Sequence, residues 1–143
     1  MTELITPIIS TDKTKLDLNV IHRFLTQSYW GKGRTMEQVR KSIENTMCFG
    51  VYLNDEQIGF ARVLSDQVVY AYLMDVFILE EYRGKGYASL MLNEILHHPS
   101  FIKVPKWFLA TRDAHPLYKQ FGFKEIADPK IYMERILERQ NQI

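Results

Sequence analysis

The sequence predicts a mixed α/β fold: one sheet with helices on both of its faces, in a single domain spanning residues 1–143. Three observations carry this. The 143 residues fit one domain and suffice to bury a core without disulfides or metals. Strand-like and helix-like segments follow in mixed order, β α α β β β α β α β. One central β–turn–α unit, Val76 to Leu96, sits inside that order, the arrangement of a sheet covered by helices.

The elements follow in turn. Leu4 to Ile9 is apolar and β-prone but broken by Pro7, as in a short first or edge strand. Ser10-Thr11-Asp12 offers capping chemistry, and Leu16, Val20, Ile21, Phe24 and Leu25 then recur at helical spacing. Tyr29 to Arg34, with Gly31 and Gly33, reads as a loop. Thr35 caps a helix over about 36–45, with Glu37 where negative charge suits the helix dipole. Phe49 to Leu53 and Gln57 to Leu64 are strands flanking the polar turn Asn54-Asp55-Glu56. After the turn Ser65-Asp66-Gln67, the β-prone run Val68 to Leu79 predicts a strand in its second half. Ala88, Met91, Leu92, Ile95 and Leu96 form one helical face, and His97-His98-Pro99 ends it. Trp107 to Ala110 is a short strand. Ala114 to Phe121 is a short helix stopped by Gly122. Phe123 onward, with Ile131-Tyr132-Met133, predicts a final strand or hairpin before a polar tail from Glu134.

Composition narrows the function classes. Apolar residues make up 46% and charged residues 24%, which is ordinary for a globular domain. With 18 basic and 17 acidic residues the net charge is +1, which argues against a nucleic-acid or membrane-surface binder. No stretch approaches the ~18 apolar residues of a membrane span, and Met1-Thr2-Glu3 does not begin a signal peptide. Cys48 is the one cysteine, so no internal disulfide forms and a reducing cytoplasm is the expected compartment. Its apolar neighbours predict a buried thiol. No metal-ligand spacing stands out; His97 and His98 are adjacent and diverge by about 100° on a helix.

The turn after the Val76-Phe77-Ile78 strand carries the chemistry. Arg83-Gly84-Lys85-Gly86-Tyr87-Ala88-Ser89 joins a strand to a helix, where backbone N–H groups and the helix dipole bind phosphate. Gly84 and Gly86 let the backbone approach phosphate oxygens, and Arg83 and Lys85 add charge unless solvated. The P-loop pattern is absent, and the dinucleotide pattern fails at Ser89 and lacks its acidic residue.

This segment resembles the acetyl-CoA motif of the GNAT (GCN5-related N-acetyltransferase) superfamily, R/Q-x-x-G-x-G/A, with Arg83, Gly86 and Ala88 at its defined positions. Leu117-Tyr118-Lys119-Gln120-Phe121-Gly122-Phe123 is similar to the late family segment L-Y-x-x-x-G-F. The resemblance implies a mixed, mostly antiparallel sheet whose central strands splay apart. It implies acetyl-CoA as co-substrate, its pantetheine arm along Val76, Phe77 and Ile78 and its pyrophosphate on Arg83 to Ala88, with Ser89 also a cofactor-binding candidate. It further implies transfer to a primary amine of a small molecule or peptide by direct attack, without a metal. Dimers are common in the family, so a homodimer is compatible, though no residue specifies an interface. Thr111 stands where the family often has an asparagine that contacts the cofactor.

Three residues are candidates for catalysis. Tyr118, at the family's tyrosine position, is the candidate acid. A phenol of pKa ~10 is protonated at neutral pH beside a thiol of roughly 8.5. Asp75 is the one charge between Ala71 and Leu79. It is either a base or a structural partner of Arg62, His115 or a backbone amide. Under strict alternation Tyr72 and Met74 lie on the opposite face from Asp75, and a bulge would change that. His115, three residues before Tyr118, titrates in a range that suits a base. Asp113 reads first as a cap of the Tyr118 helix, and it also stands among the acceptor candidates. The acceptor wall is expected from Tyr29, Trp30, Arg34, Arg62, Tyr72 and Asp113: aromatic rings suit an apolar or aromatic amine, arginines a carboxylate. Rival functions are a non-catalytic acyl-CoA sensor, an acyltransferase for longer chains or hydroxyl acceptors, and a nucleotide-binding domain.

Overall fold

The computed structural model describes residues 6–137. Five strands lie in the order β1 (Ile8–Ser10), β2 (Met47–Leu53), β3 (Glu56–Ser65), β4 (Tyr70–Ile78) and β5 (Lys106–Phe108). The first four are antiparallel and β5 runs parallel to β4. The helices are α1 (Leu18–Gln27), α2 (Met36–Glu44), α3 (Tyr87–Leu96) and α4 (His115–Lys119). Thus the mixed, mostly antiparallel sheet stands. Leu4 and Ile5 of the expected first strand lie outside the described residues.

Local chemistry explains the boundaries. Asp17, rather than the Ser10–Asp12 stretch, caps α1 by accepting from the N–H groups of Asn19 and Val20; Asp12 caps a single 3-10 turn before it. Thr35 caps α2 in a reciprocal box with Gln38. Asn54 and Asp55 both take positive φ, as a two-residue hairpin turn requires, so Glu56 already belongs to β3. The Asp66 carboxylate accepts from the N–H groups of Val68, Val69 and Tyr70. It thereby launches β4 earlier than the sequence predicted.

Each face of the sheet has its own core. Ile21 and Leu25 of α1 and Val39 and Ile43 of α2 cover Cys48, Phe60 and Phe77; Cys48 is buried, as expected. Met91, Leu92 and Ile95 of α3 cover Phe49, Val51, Ala71, Leu73 and Ile78 on the other face.

Ala71 and Leu73 face α3, and strict alternation would send Phe77 there too. Instead Phe77 faces α1 and α2 while Ile78 faces α3. A bulge causes the switch. The β3–β4 register slips between Phe60 and Arg62, and Asp75 there has φ 53°. An extra residue in one strand bends it and re-aims side chains. Asp75 therefore shares a face with Arg62 and Met74 instead of opposing them.

β4 and β5 pair only at Tyr70–Lys106, Ala71–Trp107 and Tyr72–Phe108. Beyond Tyr72 they part, and a cleft opens in the sheet. No strand follows β5 among the described residues, which corrects the final hairpin expected from Phe123 and Ile131-Tyr132-Met133. Asp128-Pro129 starts a 3-10 turn instead, since proline removes a donor and fixes φ. Tyr132 meets β5 through its ring, edge-on to Phe108 at 5.5 Å.

Candidate active site

The cleft holds about 840 Å³ between β4, α1, the α1–α2 loop, the start of α3 and α4. Three groups of residues shape it: an amide-rich turn, an open strand edge and a cluster around Asp75.

The turn lies at the Ile78 end of β4. Gly84 and Gly86 sit at φ 78° and 81°, where a side chain is strained. A Cβ at either would meet no protein atom within 4 Å, so each faces open space. Gly86 caps α3 without a side-chain hydrogen bond. Leu90 is the first helical residue whose N–H reaches back, to the Gly86 carbonyl. The amides of Tyr87, Ala88 and Ser89 precede it and are free to face an anion. Arg83 donates from Nε to the Ile78 carbonyl at 2.9 Å, which pins the turn to the strand. Arg83, Gly84, Gly86, Tyr87, Ala88 and Ser89 all line the cleft; Lys85 is exposed and does not.

Val76, Phe77 and Ile78 follow on the wall. The peptide groups of β4 that face β5 have no strand partner past Tyr72. Such an edge takes an extended ligand as a further strand.

At the bulge, one carboxylate gathers three donors. Asp75 accepts from Trp30 Nε1 at 2.9 Å, from Arg34 at 2.7 Å and from Arg62 Nε at 2.6 Å. Its side chain is only 2% exposed. Both carboxylate oxygens are engaged, and the α1–α2 loop is tied to the sheet through them. Of the partners weighed from sequence, Arg62 is present and His115 is not. Arg62 stands behind Asp75 and off the cleft wall; Trp30, Arg34 and Tyr72 are on it.

Tyr118 reaches the cleft from α4 and is 8% exposed. Burial pushes its hydroxyl up to about 12, with Tyr29 and Asp113 adding smaller effects in the same direction. Gly122 at φ 90° ends α4 and lets Phe123 N–H close on the Tyr118 carbonyl. Phe123 then sets its ring edge-on to Tyr118. His115, on the first turn of α4, is exposed and does not line the cleft. Its spacing from Tyr118 does not bring it to the same wall. Asp113 is on the wall but caps nothing: Thr111 Oγ1 accepts from the N–H groups of Asp113 and Ala114.

Two features escaped the sequence. Phe24 lines the cleft and stacks on Phe77 at 4.0 Å; its apolar helical position was the signal available. Tyr29, on the cleft wall, ties the α1–α2 loop to the loop before α4. Its hydroxyl accepts from Arg112 N–H at 2.9 Å, and the Arg112 guanidinium lies 4.5 Å from its ring centre, a cation–π distance. No signal in the sequence joins residues so far apart.

The fold, the splayed strands and the amide turn define an acyltransferase-type domain, and comparison with known proteins agrees. The chain belongs to the GNAT acetyltransferase family, whose acetyltransferase domain model matches residues 44–125. A Xanthomonas campestris protein described as a presumptive GNAT acetyltransferase is 38% identical, with TM-score 0.90 over 94% of this chain and 96% of that one. A presumptive acetyltransferase of Gibberella zeae is 28% identical over 142 residues, 82% of this chain and 79% of the relative. The fold is shared with glucosamine-6-phosphate N-acetyltransferase of Arabidopsis thaliana at TM-score 0.64 and 14% identity, over 93% and 99% of the two chains. Among the described residues no helix is long and apolar enough to cross a membrane, and no cluster of metal-binding side chains occurs.

Proposed function

We propose that the protein transfers the acetyl group of acetyl-CoA to a primary amine by direct attack. One observation carries the reading: free amides at Tyr87 to Ser89, the open β4 edge and buried Tyr118 converge on one cleft. The turn suits a pyrophosphate, and the strand edge suits the amide-bearing pantetheine arm. The thioester then lies near the bulge, within reach of the α1–α2 loop and of Tyr118.

The nucleophile must be the neutral amine. Its nitrogen attacks the thioester carbonyl, the C–N bond forms, the C–S bond breaks, and the amine's surplus proton leaves. Tyr118 serves the departing sulfur. At about 12 its hydroxyl is a donor at every physiological pH. It is also a weaker acid than a thiol of roughly 8.5. The wide gap favours a hydrogen bond to the developing thiolate over complete proton transfer. Asp75 acts as the anchor of the acceptor loop rather than as base, because its oxygens already hold three donors. Asp113, exposed on the wall, attracts the ammonium form, whose proton passes to water.

The test is titration with acetyl-CoA, NAD and ATP, followed by thiol release in the presence of amines. Saturable acetyl-CoA binding with amine-dependent thiol release is expected. Failure to bind acetyl-CoA would sink the reading, and binding without thiol release from any amine would favour a sensor.

A further inference from the structure

The inference concerns the acceptor and rests on the transferase reading above. Arg34 and Arg62 bring two positive charges to Asp75, which supplies one negative charge. The cluster therefore carries an excess of +1. That excess lies in a poorly solvated place: the Asp75 side chain is 2% exposed, that of Arg62 8% and that of Arg34 20%. A buried charge without a counter-charge is costly. Arg62 is behind Asp75, so the excess meets the cleft at Arg34, which lines it. Arg34 uses one terminal nitrogen on Asp75, leaving a planar fork whose other donors match a carboxylate.

The loop before α4 brings a carboxylate, Asp113, to the same cleft beside Tyr118. Its neighbour Arg112 turns its guanidinium onto the Tyr29 ring and does not line the cleft. A cation from the α1–α2 loop and an anion from the loop before α4, both lining one cleft, suit a zwitterion. Trp30, held by its indole N–H on Asp75, and Tyr29, edge-on to it at 5.1 Å, give the same region apolar surface.

We propose that the acetyl acceptor is a free amino acid, its carboxylate bound by Arg34 and its amino group directed toward Asp113 and Tyr118. Asp75 and Arg62 act as positioning residues: they aim the Arg34 guanidinium and keep the net charge positive.

Matched acids and amides test this. Free phenylalanine, leucine and methionine and their carboxamides are compared as acceptors by thiol release from acetyl-CoA. In parallel, the N-acetyl acids and N-acetyl amides are titrated into the protein saturated with coenzyme A. The amide's amine is less basic and more of it is neutral at pH 7, so intrinsic reactivity works against the expected result. The acids should exceed their amides by at least about tenfold in kcat/KM or in affinity, the size of one charge-assisted hydrogen bond. That gap should collapse in Arg34→Gln and shrink in Arg34→Lys, which keeps the charge but loses the fork. Circular dichroism checks that both variants fold. Amides equal to or better than acids would overturn the amino-acid inference and leave the transferase reading intact. So would failure of every acid both to react and to bind while acetyl-CoA still binds. Loss of acetyl-CoA binding itself would take down both.

Discussion

At one end of the cleft the exposed polar groups are backbone amides from consecutive residues, Tyr87 to Ser89 behind Gly84 and Gly86. At the other end they are side chains from Tyr29 to Tyr118, assembled around one buried carboxylate. The first end depends on a local conformation that a short motif can encode. The second depends on contacts between residues 13 to 83 positions apart. A local motif tolerates change elsewhere in the chain, whereas the assembled end is sensitive to the loss of its hub.

Removing that hub should therefore have the largest effect. Asp75→Ala leaves two guanidiniums in a poorly solvated site without their partner. Stability should fall by about 3–5 kcal/mol, read from urea unfolding. Asp75→Asn keeps an acceptor oxygen and should fall less. In the folded Asn variant the acceptor KM should rise more than the acetyl-CoA Kd. The acid limb of its pH–rate profile should persist; a limb that vanished would make Asp75 the base and break the contrast between the two ends.

Tyr118 tests the junction between them. Tyr118→Phe removes one hydroxyl from the point where the proposed reaction brings both substrates together. Turnover should drop at least about tenfold, the size of one lost hydrogen bond to the developing thiolate, with acetyl-CoA binding little changed. Unchanged turnover would remove Tyr118 from the mechanism. The folded protein holds this hydroxyl at about 12, above the ~10 of an exposed phenol. The unfolded chain ionises first, so the associated stability is whole below about pH 10 and is lost as pH rises toward 12. The Phe variant should lose less stability over that window. Tyr52, also pushed to about 12 by burial, leaves part of the loss in place.

The same division explains what the sequence disclosed. The amide turn, the Tyr118 helix and its Gly122 stop were legible because each depends on neighbours in the chain. Asp75 stood out as a lone charge in an apolar run, but its role turned on a bulge that no local residue announces. Trp30, Arg34 and Arg62 were each candidates, yet nothing in their spacing said that one carboxylate would hold all three. Ile131-Tyr132-Met133 misled because β-propensity reports fit to a pleated surface. The chain reaches β5 after Pro129, as a turn, and offers Tyr132's ring instead of a ladder.

Smaller effects separate the two ends further. Gly86→Ala puts a Cβ at φ 81°, costing about 1–2 kcal/mol of backbone strain. Since that Cβ meets no protein atom, the damage should fall on the ligand. The acetyl-CoA Kd should rise while the acceptor KM holds; an equal rise in both would deny the ends their independence.

The smallest change is expected at Tyr29. Tyr29→Phe deletes the acceptor of the Arg112 N–H but keeps the ring under the guanidinium. The bond is solvent-exposed, so water replaces the hydroxyl and stability should change by less than about 1 kcal/mol. Local opening should increase nonetheless, because Tyr29 is the link from the α1–α2 loop to the loop before α4. Hydrogen exchange at the Arg112 amide should quicken in the Phe variant while amides of β3 are unaffected. In Tyr29→Ala, which also loses the 4.5 Å cation–π contact, it should quicken again. If exchange at Arg112 matches the parent in both variants, the two loops are tied by something other than Tyr29.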